Sequence, residues 1–77
     1  MENSDVLNFM EHLQEKRSVY FRLYNALYIV SLDQERFSIH QDGMTISYTY
    51  PTLEELFNGY VVYGIPLIDS FSDIKIV

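Results

Sequence analysis

Hydrophobic and polar residues alternate with a period of two from Val19 to Tyr50, whereas the segments before and after repeat with the longer period of a helix. Successive residues of a strand face opposite sides of a sheet, so the alternation predicts β-strands. We interpret the chain as a helix, four strands, a short second helix and a C-terminal strand. The predicted fold class is α+β, with residues 1–77 in one small domain. The four strands would form an antiparallel meander, and both helices would pack on one face of it.

The first helix is predicted from about Asp5 to Lys16. The side-chain oxygen of Ser4 or Asp5 can cap its first turn by accepting from a free backbone amide. Its apolar residues follow the helical spacing i, i+3, i+4 and i+7, which predicts one buried stripe. That stripe consists of Val6, Phe9, Met10 and Leu13.

Three turns fix the predicted pairing of the four strands. The chain would turn at Asn25-Ala26, over residues 33–36 and at Asp42-Gly43, the last being a strong hairpin signal. A helix over residues 19–30 is the main alternative, but the Tyr, Val and Ile content there favours strands. With these turns one face of the sheet becomes apolar. Its predicted pairs are Val19 with Leu32, Phe21 with Val30, Leu23 with Tyr28, Leu32 with Phe37, Val30 with Ile39, Ile39 with Ile46, Phe37 with Tyr48 and Gln41 with Met44.

The second helix has a capping box, in which Thr52 caps the amide of Glu55 and Glu55 reaches back to the amide of Thr52. A left-handed stop is expected at Asn58-Gly59, with continuation as far as Gly64 as the alternative. Pro66 could then begin a single helical turn. The buried stripe of the helix is predicted to be Leu53, Leu56 and Phe57, and residues 74–77 read as the last strand.

The opposite face of the predicted sheet is polar at one edge and partly apolar at the other. Tyr20, Arg22 and Tyr24 alternate along one strand, and Leu27 and Ile29 are placed opposite them on the next. Grouped apolar side chains on a solvent face suggest an interface, and Tyr and Arg are enriched at binding hot spots. Two alternatives remain open: the tyrosines shield Leu27 and Ile29 by ordinary cross-strand packing, or the C-terminal strand covers the patch.

The net charge of −6 disfavours direct binding to nucleic acid, because phosphate backbones would repel the chain. The leading hypothesis is a non-catalytic protein-interaction module, in its simplest form a homodimer through the outer sheet face. The runner-up is an acidic inhibitor of a basic, nucleic-acid-binding protein. Its carboxylates would stand in for phosphates: Glu2, Asp5, Glu11, Glu15, Glu54, Glu55, Asp69 and Asp73.

Few residues suit catalysis. The chain has no cysteine, and its three glycines match no phosphate-binding loop. His12 reads as a solvated residue, and an enzyme would need His40 acting with Asp42. We therefore expect no enzyme activity, no cofactor and no metal site.

The location of the chain is predicted from two absences in the sequence. There is no apolar run of about 20 residues, and the first residues lack the pattern of a signal peptide. These features predict a cytoplasmic protein that does not bind membranes.

Overall fold

The computed structural model describes residues 3–77, with side chains from residue 7 onward. Within these residues the chain forms two α-helices, one 3₁₀ helix and seven strands. The helices are α1 (Asn3–Lys16), α2 (Leu53–Gly59) and the 3₁₀ helix (Leu67–Asp73). The strands are β1 (Ser18–Leu23), β2 (Ala26–Asp33), β3 (Arg36–Gln41), β4 (Tyr48–Tyr50), β5 (Val61–Val62), β6 (Ile65–Pro66) and β7 (Lys75–Ile76).

Five of these strands form one antiparallel sheet in the order β4-β3-β2-β1-β7. Strands β5 and β6 pair separately as a small hairpin. Both α-helices lie against the same side of the large sheet, so the predicted α+β architecture with a four-stranded meander is confirmed. The C-terminal strand joins the meander beside β1 as a fifth strand.

Helix α1 buries Phe9 and Leu13 completely, as its apolar spacing predicts. It ends at Lys16 because Arg17 adopts a left-handed backbone with φ of 66°. The Arg17 amide then donates to the Leu13 carbonyl at 2.8 Å, which satisfies one of the last free carbonyls of the helix. The proposed cap at Ser4 or Asp5 and the position of Val6 lie outside the residues whose side chains are described.

The pairing of β2 with β3 agrees with the prediction in every position. Val30 lies opposite Ile39, and Leu32 lies opposite Phe37. The connecting residues Gln34 and Glu35 both have positive φ, 50° and 63°, so the hairpin closes with a two-residue turn. This central pair of strands holds the middle of the hydrophobic core.

The predicted pairing of β1 with β2 is wrong by two residues. Val19 lies opposite Val30, not Leu32, because the turn falls on Tyr24-Asn25 instead of Asn25-Ala26. Tyr24 and Asn25 have φ of 52° and 67°, the geometry of a two-residue type I′ turn. Asn25 suits such a position and Ala26 does not. A shift of two residues leaves every side chain on its predicted face, so the core assignment survives.

The predicted pairing of β3 with β4 is also wrong by two residues. Ile39 lies opposite Tyr48, and Phe37 lies opposite Tyr50, so residues 42–47 form a longer connection. Met44 and Ile46 consequently lie outside the core. The shift brings the Tyr50 ring against α2 at Gly59, where a Cβ would meet the ring at 3.0 Å.

The core is built around Phe9, which reaches the sheet, α2 and the 3₁₀ helix at once. Its ring centroid lies 5.9 Å from Phe21, 5.3 Å from Phe57 and 5.9 Å from Phe71. All three contacts are edge-to-face, an arrangement that aromatic rings favour. One side chain therefore links the three layers of the molecule.

Helix α2 has one half of the predicted capping box: the Glu55 amide donates to the Thr52 hydroxyl at 3.1 Å, but the hydrogen bonds of the described residues do not include one from the Thr52 amide to the Glu55 side chain. The predicted left-handed stop at Gly59 is wrong, since Gly59 keeps negative φ and the chain leaves the helix in extended form at Tyr60. The longer helix to Gly64 is also wrong, because those residues form the β5–β6 hairpin. Pro66 directly precedes the 3₁₀ helix, which is longer than the single turn expected there. The buried residues of α2 are the predicted Leu53, Leu56 and Phe57.

Candidate protein-interaction face

We call the side of the five-stranded sheet that is turned away from α1 and α2 the outer face. In its centre Tyr20 lies directly opposite Ile29, and Arg22 lies directly opposite Leu27. Tyr20 and Arg22 are exposed, and Leu27 and Ile29 are half-buried. Neither Leu27 nor Ile29 belongs to the hydrophobic core or packs against it. The outer face thus carries aliphatic side chains that contribute nothing to the core beneath.

The C-terminal strand widens this face and does not cover it. Strand β7 lies beside β1, and the Val77 amide donates to the Tyr20 carbonyl at 2.8 Å. Because Ile76 lies opposite the inward-facing Phe21, the register places Val77 on the outer face next to Tyr20. Val77 is 73% exposed. Val77, Tyr20 and Ile29 therefore form an apolar row across three neighbouring strands.

Tyr24 lies outside the strand pairing of this face, although it lines a cleft with Arg22. It occupies the β1–β2 turn, so it does not lie opposite Leu27 as expected. Its ring centroid is 5.5 Å from that of Tyr63, and its hydroxyl is 3.4 Å from the Ser70 hydroxyl, which is itself buried. Tyr24 therefore ties the end of the sheet to the 3₁₀ helix and the β5–β6 hairpin.

One end of the outer face carries a basic pair beside an acidic residue. Arg22 lies directly opposite Lys75, and like charges in that position repel each other. Both residues, with Tyr24, Asn25 and Asp73, line a cleft of about 310 Å³. Two of the five basic residues of an acidic chain thus meet at one corner of the sheet. The sequence did not reveal this pair, because the strand beside which β7 would lie was not predictable.

A row of hydroxyl side chains lies beside the apolar row, on the side away from Arg22 and Lys75. Ser31 lies between Ser18 and Ser38, and Ser38 lies opposite Thr49. Beyond them Asp33 lies opposite Arg36 at the far end of the strands. Along its strands the outer face therefore begins with Arg22 and Lys75 beside Asp73, continues with an apolar row and a hydroxyl row, and ends with the pair Asp33 and Arg36.

His40, the candidate acid-base residue, is paired with an aliphatic residue. His40 is half-buried on the outer face and lies opposite Ile29, whose side chain can neither accept nor donate a proton. The paired part of β3 and β4 ends at Ile39, so no residue of β4 lies opposite His40. Among the described residues, no three His, Asp or Glu side chains gather as metal ligands would.

A second aromatic group lies on the helix side of the sheet, near the end of α2. The ring of Tyr60 is 6.1 Å from Tyr28 and 5.7 Å from Tyr48, both edge-to-face. Burial, together with repulsion from neighbouring phenolates, raises the pKa of Tyr28, Tyr50 and Tyr60 above the usual value of 10.0. The sequence placed Tyr28 and Tyr48 on the apolar face of the sheet, yet Tyr48 is half exposed.

The helical side of the molecule is acidic. Its described carboxylates are all exposed, and they lie on α1, α2 and the 3₁₀ helix, although Asp73 also lines the cleft beside Arg22 and Lys75. They are Glu11, Glu15, Glu54, Glu55, Asp69 and Asp73. Of the residues named for the inhibitor hypothesis, Glu2 and Asp5 lie outside the described side chains.

No helix within residues 3–77 is both long enough and apolar enough to span a membrane. No family model, curated protein or solved structure matches this chain. Its function is therefore inferred from its own surfaces.

Proposed function

We propose that this chain is a non-catalytic protein-interaction module whose outer face binds a second copy of itself. The observation that carries the proposal is the apolar row of Val77, Tyr20 and Ile29, which lies on the side of the sheet that both helices leave bare. Apolar side chains grouped on a solvent-facing surface are typical of interaction sites. A tyrosine side chain supplies a large contact area, and only two side-chain torsions lose freedom when it binds.

The charges at the two ends of the outer face favour a two-fold arrangement. Arg22 and Lys75 lie at one end of the strands, and Asp33 lies at the other, next to Glu35 in the following turn. A two-fold axis between stacked faces, running across the strands, would bring the Arg22–Lys75 end of each copy over the end of the second copy that carries Asp33, Glu35 and Arg36. Such an interface needs only one self-complementary surface. Its charged ends would fix the orientation, and its apolar row would supply the buried area.

Sedimentation equilibrium of Ile29→Asp tests the proposal. A carboxylate buried in the middle of the apolar row would lack a partner, so self-association should weaken at least tenfold, by about 1.4 kcal/mol or more. Gln14→Glu adds the same charge at an exposed position of α1 and serves as the matched control. Equal association of both variants would contradict the proposal, as would a wild-type chain that stays monomeric at hundreds of micromolar.

A second candidate function rests on the exposed carboxylates of the helical side. As an acidic inhibitor, the chain would bind a basic protein through Glu11, Glu54 and their neighbours. Binding to a lysine-rich peptide should then weaken steeply with added NaCl, because exposed charges are screened. An affinity unchanged by salt, or by Glu11→Gln with Glu54→Gln, would exclude this candidate.

A further inference from the structure

The two edges of the five-stranded sheet are protected differently. Strand β7 carries Lys75, and a charge at an edge discourages pairing with another strand. Within residues 3–77, strand β4 (Tyr48–Tyr50) has β3 on one side and no strand on the other. Residues 43–53, which include β4, contain no charged side chain. The β4 edge is thus open, uncharged and able to pair.

The sequence leading into β4 has the pattern of a longer strand. Met44, Ile46 and Tyr48 are 57%, 60% and 50% exposed, and hydroxyl residues alternate with them. Only Tyr48 of these three pairs with β3, because the connection from β3 occupies residues 42–47. Residues 44–47 therefore show the alternation of a strand, but no described strand pairs with them.

We propose that a second copy of this chain pairs with residues 44–48 as an antiparallel strand and joins the two sheets into one. The alternation is self-complementary about a two-fold axis at Ile46. Met44 would lie opposite Tyr48 of the second copy, and Ile46 opposite its own counterpart. Thr45 would lie opposite Ser47 of the second copy, so apolar residues share one side of the joined sheet and hydroxyls the other.

Charge explains why the occupant is a second copy. The chain has 11 acidic and five basic residues, so two copies repel each other over most of their surfaces. They approach at least cost where neither carries a charge, and residues 43–53 form such a strip. A basic partner would gain nothing from this strip, because its charges would find no carboxylate there.

This pairing is independent of the proposed outer-face contact. When a two-fold axis perpendicular to the sheet pairs two edge strands antiparallel, the outer faces of both copies lie on the same side of the joined sheet. The outer faces of both copies would therefore remain free, on one side of a ten-stranded sheet. The interface at β4 can form or fail whether or not the outer face binds anything.

Cysteine cross-linking tests the proposal cleanly, because the chain has no cysteine of its own. Opposed residues in an antiparallel pair lie within the Cα separation that a disulfide requires. Under mild oxidation, Ile46→Cys should form a covalent dimer at least tenfold faster than Ile65→Cys. Ile65 is the matched control, an exposed isoleucine on the β5–β6 hairpin.

A mixture of Met44→Cys with Tyr48→Cys should give the mixed dimer, and either variant alone should give little dimer. Equal rates for Ile46→Cys and Ile65→Cys would overturn the proposal. Self-linking of Met44→Cys as fast as Ile46→Cys would overturn it too, since that pattern belongs to parallel strands in register. Repeating the Ile46→Cys experiment with Ile29→Asp separates the two interfaces: cross-linking should be unchanged even if the outer-face contact is lost or never existed.

Discussion

The ring of Tyr24 lies 5.5 Å from the ring of Tyr63, and each tyrosine is the first residue of a two-residue turn with positive φ. Their φ angles are 52° and 54°, a region that bulky side chains rarely adopt. The β1–β2 and β5–β6 hairpins therefore contact each other through their strained turn residues. The ring contact offsets part of the cost of this strain.

Replacing Tyr63 separates its ring contact from its backbone strain. Both Tyr63→Ala and Tyr63→Asn lose the contact with Tyr24, but asparagine tolerates the left-handed backbone better than alanine does. Tyr63→Ala should be less stable than Tyr63→Asn by about 1 kcal/mol. Urea denaturation measures the difference. Equal stability of the two variants would mean that the turn stores no strain.

Gly59 should tolerate alanine only when Tyr50 is smaller. A Cβ at Gly59 would lie 3.0 Å from the Tyr50 ring, so Gly59→Ala should destabilise the protein by about 1 kcal/mol. In a Tyr50→Val background the same substitution should stabilise by up to about 1 kcal/mol, because alanine forms helices better than glycine. Thermal denaturation of the four proteins measures the reversal. The same sign in both backgrounds would contradict the role given to Tyr50.

Phe9 should be the most costly position of α1 to truncate. It is fully buried between the sheet, α2 and the 3₁₀ helix, so Phe9→Ala should cost about 3–5 kcal/mol. Leu7→Ala, at an exposed leucine of the same helix, is the control and should change stability by less than about 0.5 kcal/mol. Circular dichroism during urea denaturation measures both. A similar loss at the two positions would exclude Phe9 as the centre of the core.

Stability should decline at alkaline pH because of the buried tyrosines. Burial, with repulsion from neighbouring phenolates, raises the pKa of Tyr28 and Tyr60 in the folded chain above 10.0. Above about pH 10 the unfolded chain loses phenolic protons that the folded chain retains, so stability falls as pH rises through the folded pKa values. Absorbance at the phenolate band should reveal a late-titrating group, and Tyr60→Phe should reduce the alkaline loss. If all seven tyrosines titrated in one step at the same pH, the claim that burial raises the pKa of Tyr28 and Tyr60 would be contradicted.

The sequence predicted the helices and the facing of the strands better than the strand register. Alternation determines which face a residue occupies, but pairings that differ by two residues give the same facing. The register then depended on turns, and Tyr24 is an unusual residue for a type I′ turn. The longer connection at residues 42–47 places Tyr50 opposite Phe37 and against Gly59, a packing contact that alternation does not predict.

The candidate site was predictable in part for the same reason. Tyr20, Arg22, Leu27 and Ile29 share a face by alternation alone, and the structure places them together. Lys75 and Val77 were missed, because local sequence does not determine which strand a C-terminal segment will join. Tyr24 was placed on the outer face only because the turn was assigned one residue too late.

The most direct test of the outer face as a binding surface is a dilution series followed by amide NMR spectra. We expect the amide shifts of Tyr20, Leu27 and Ile29 to move with concentration along one saturable curve, while those of exposed helical residues such as Gln14 stay constant. Ile29→Asp should abolish these changes. Outer-face shifts that remain constant up to millimolar protein would contradict the account.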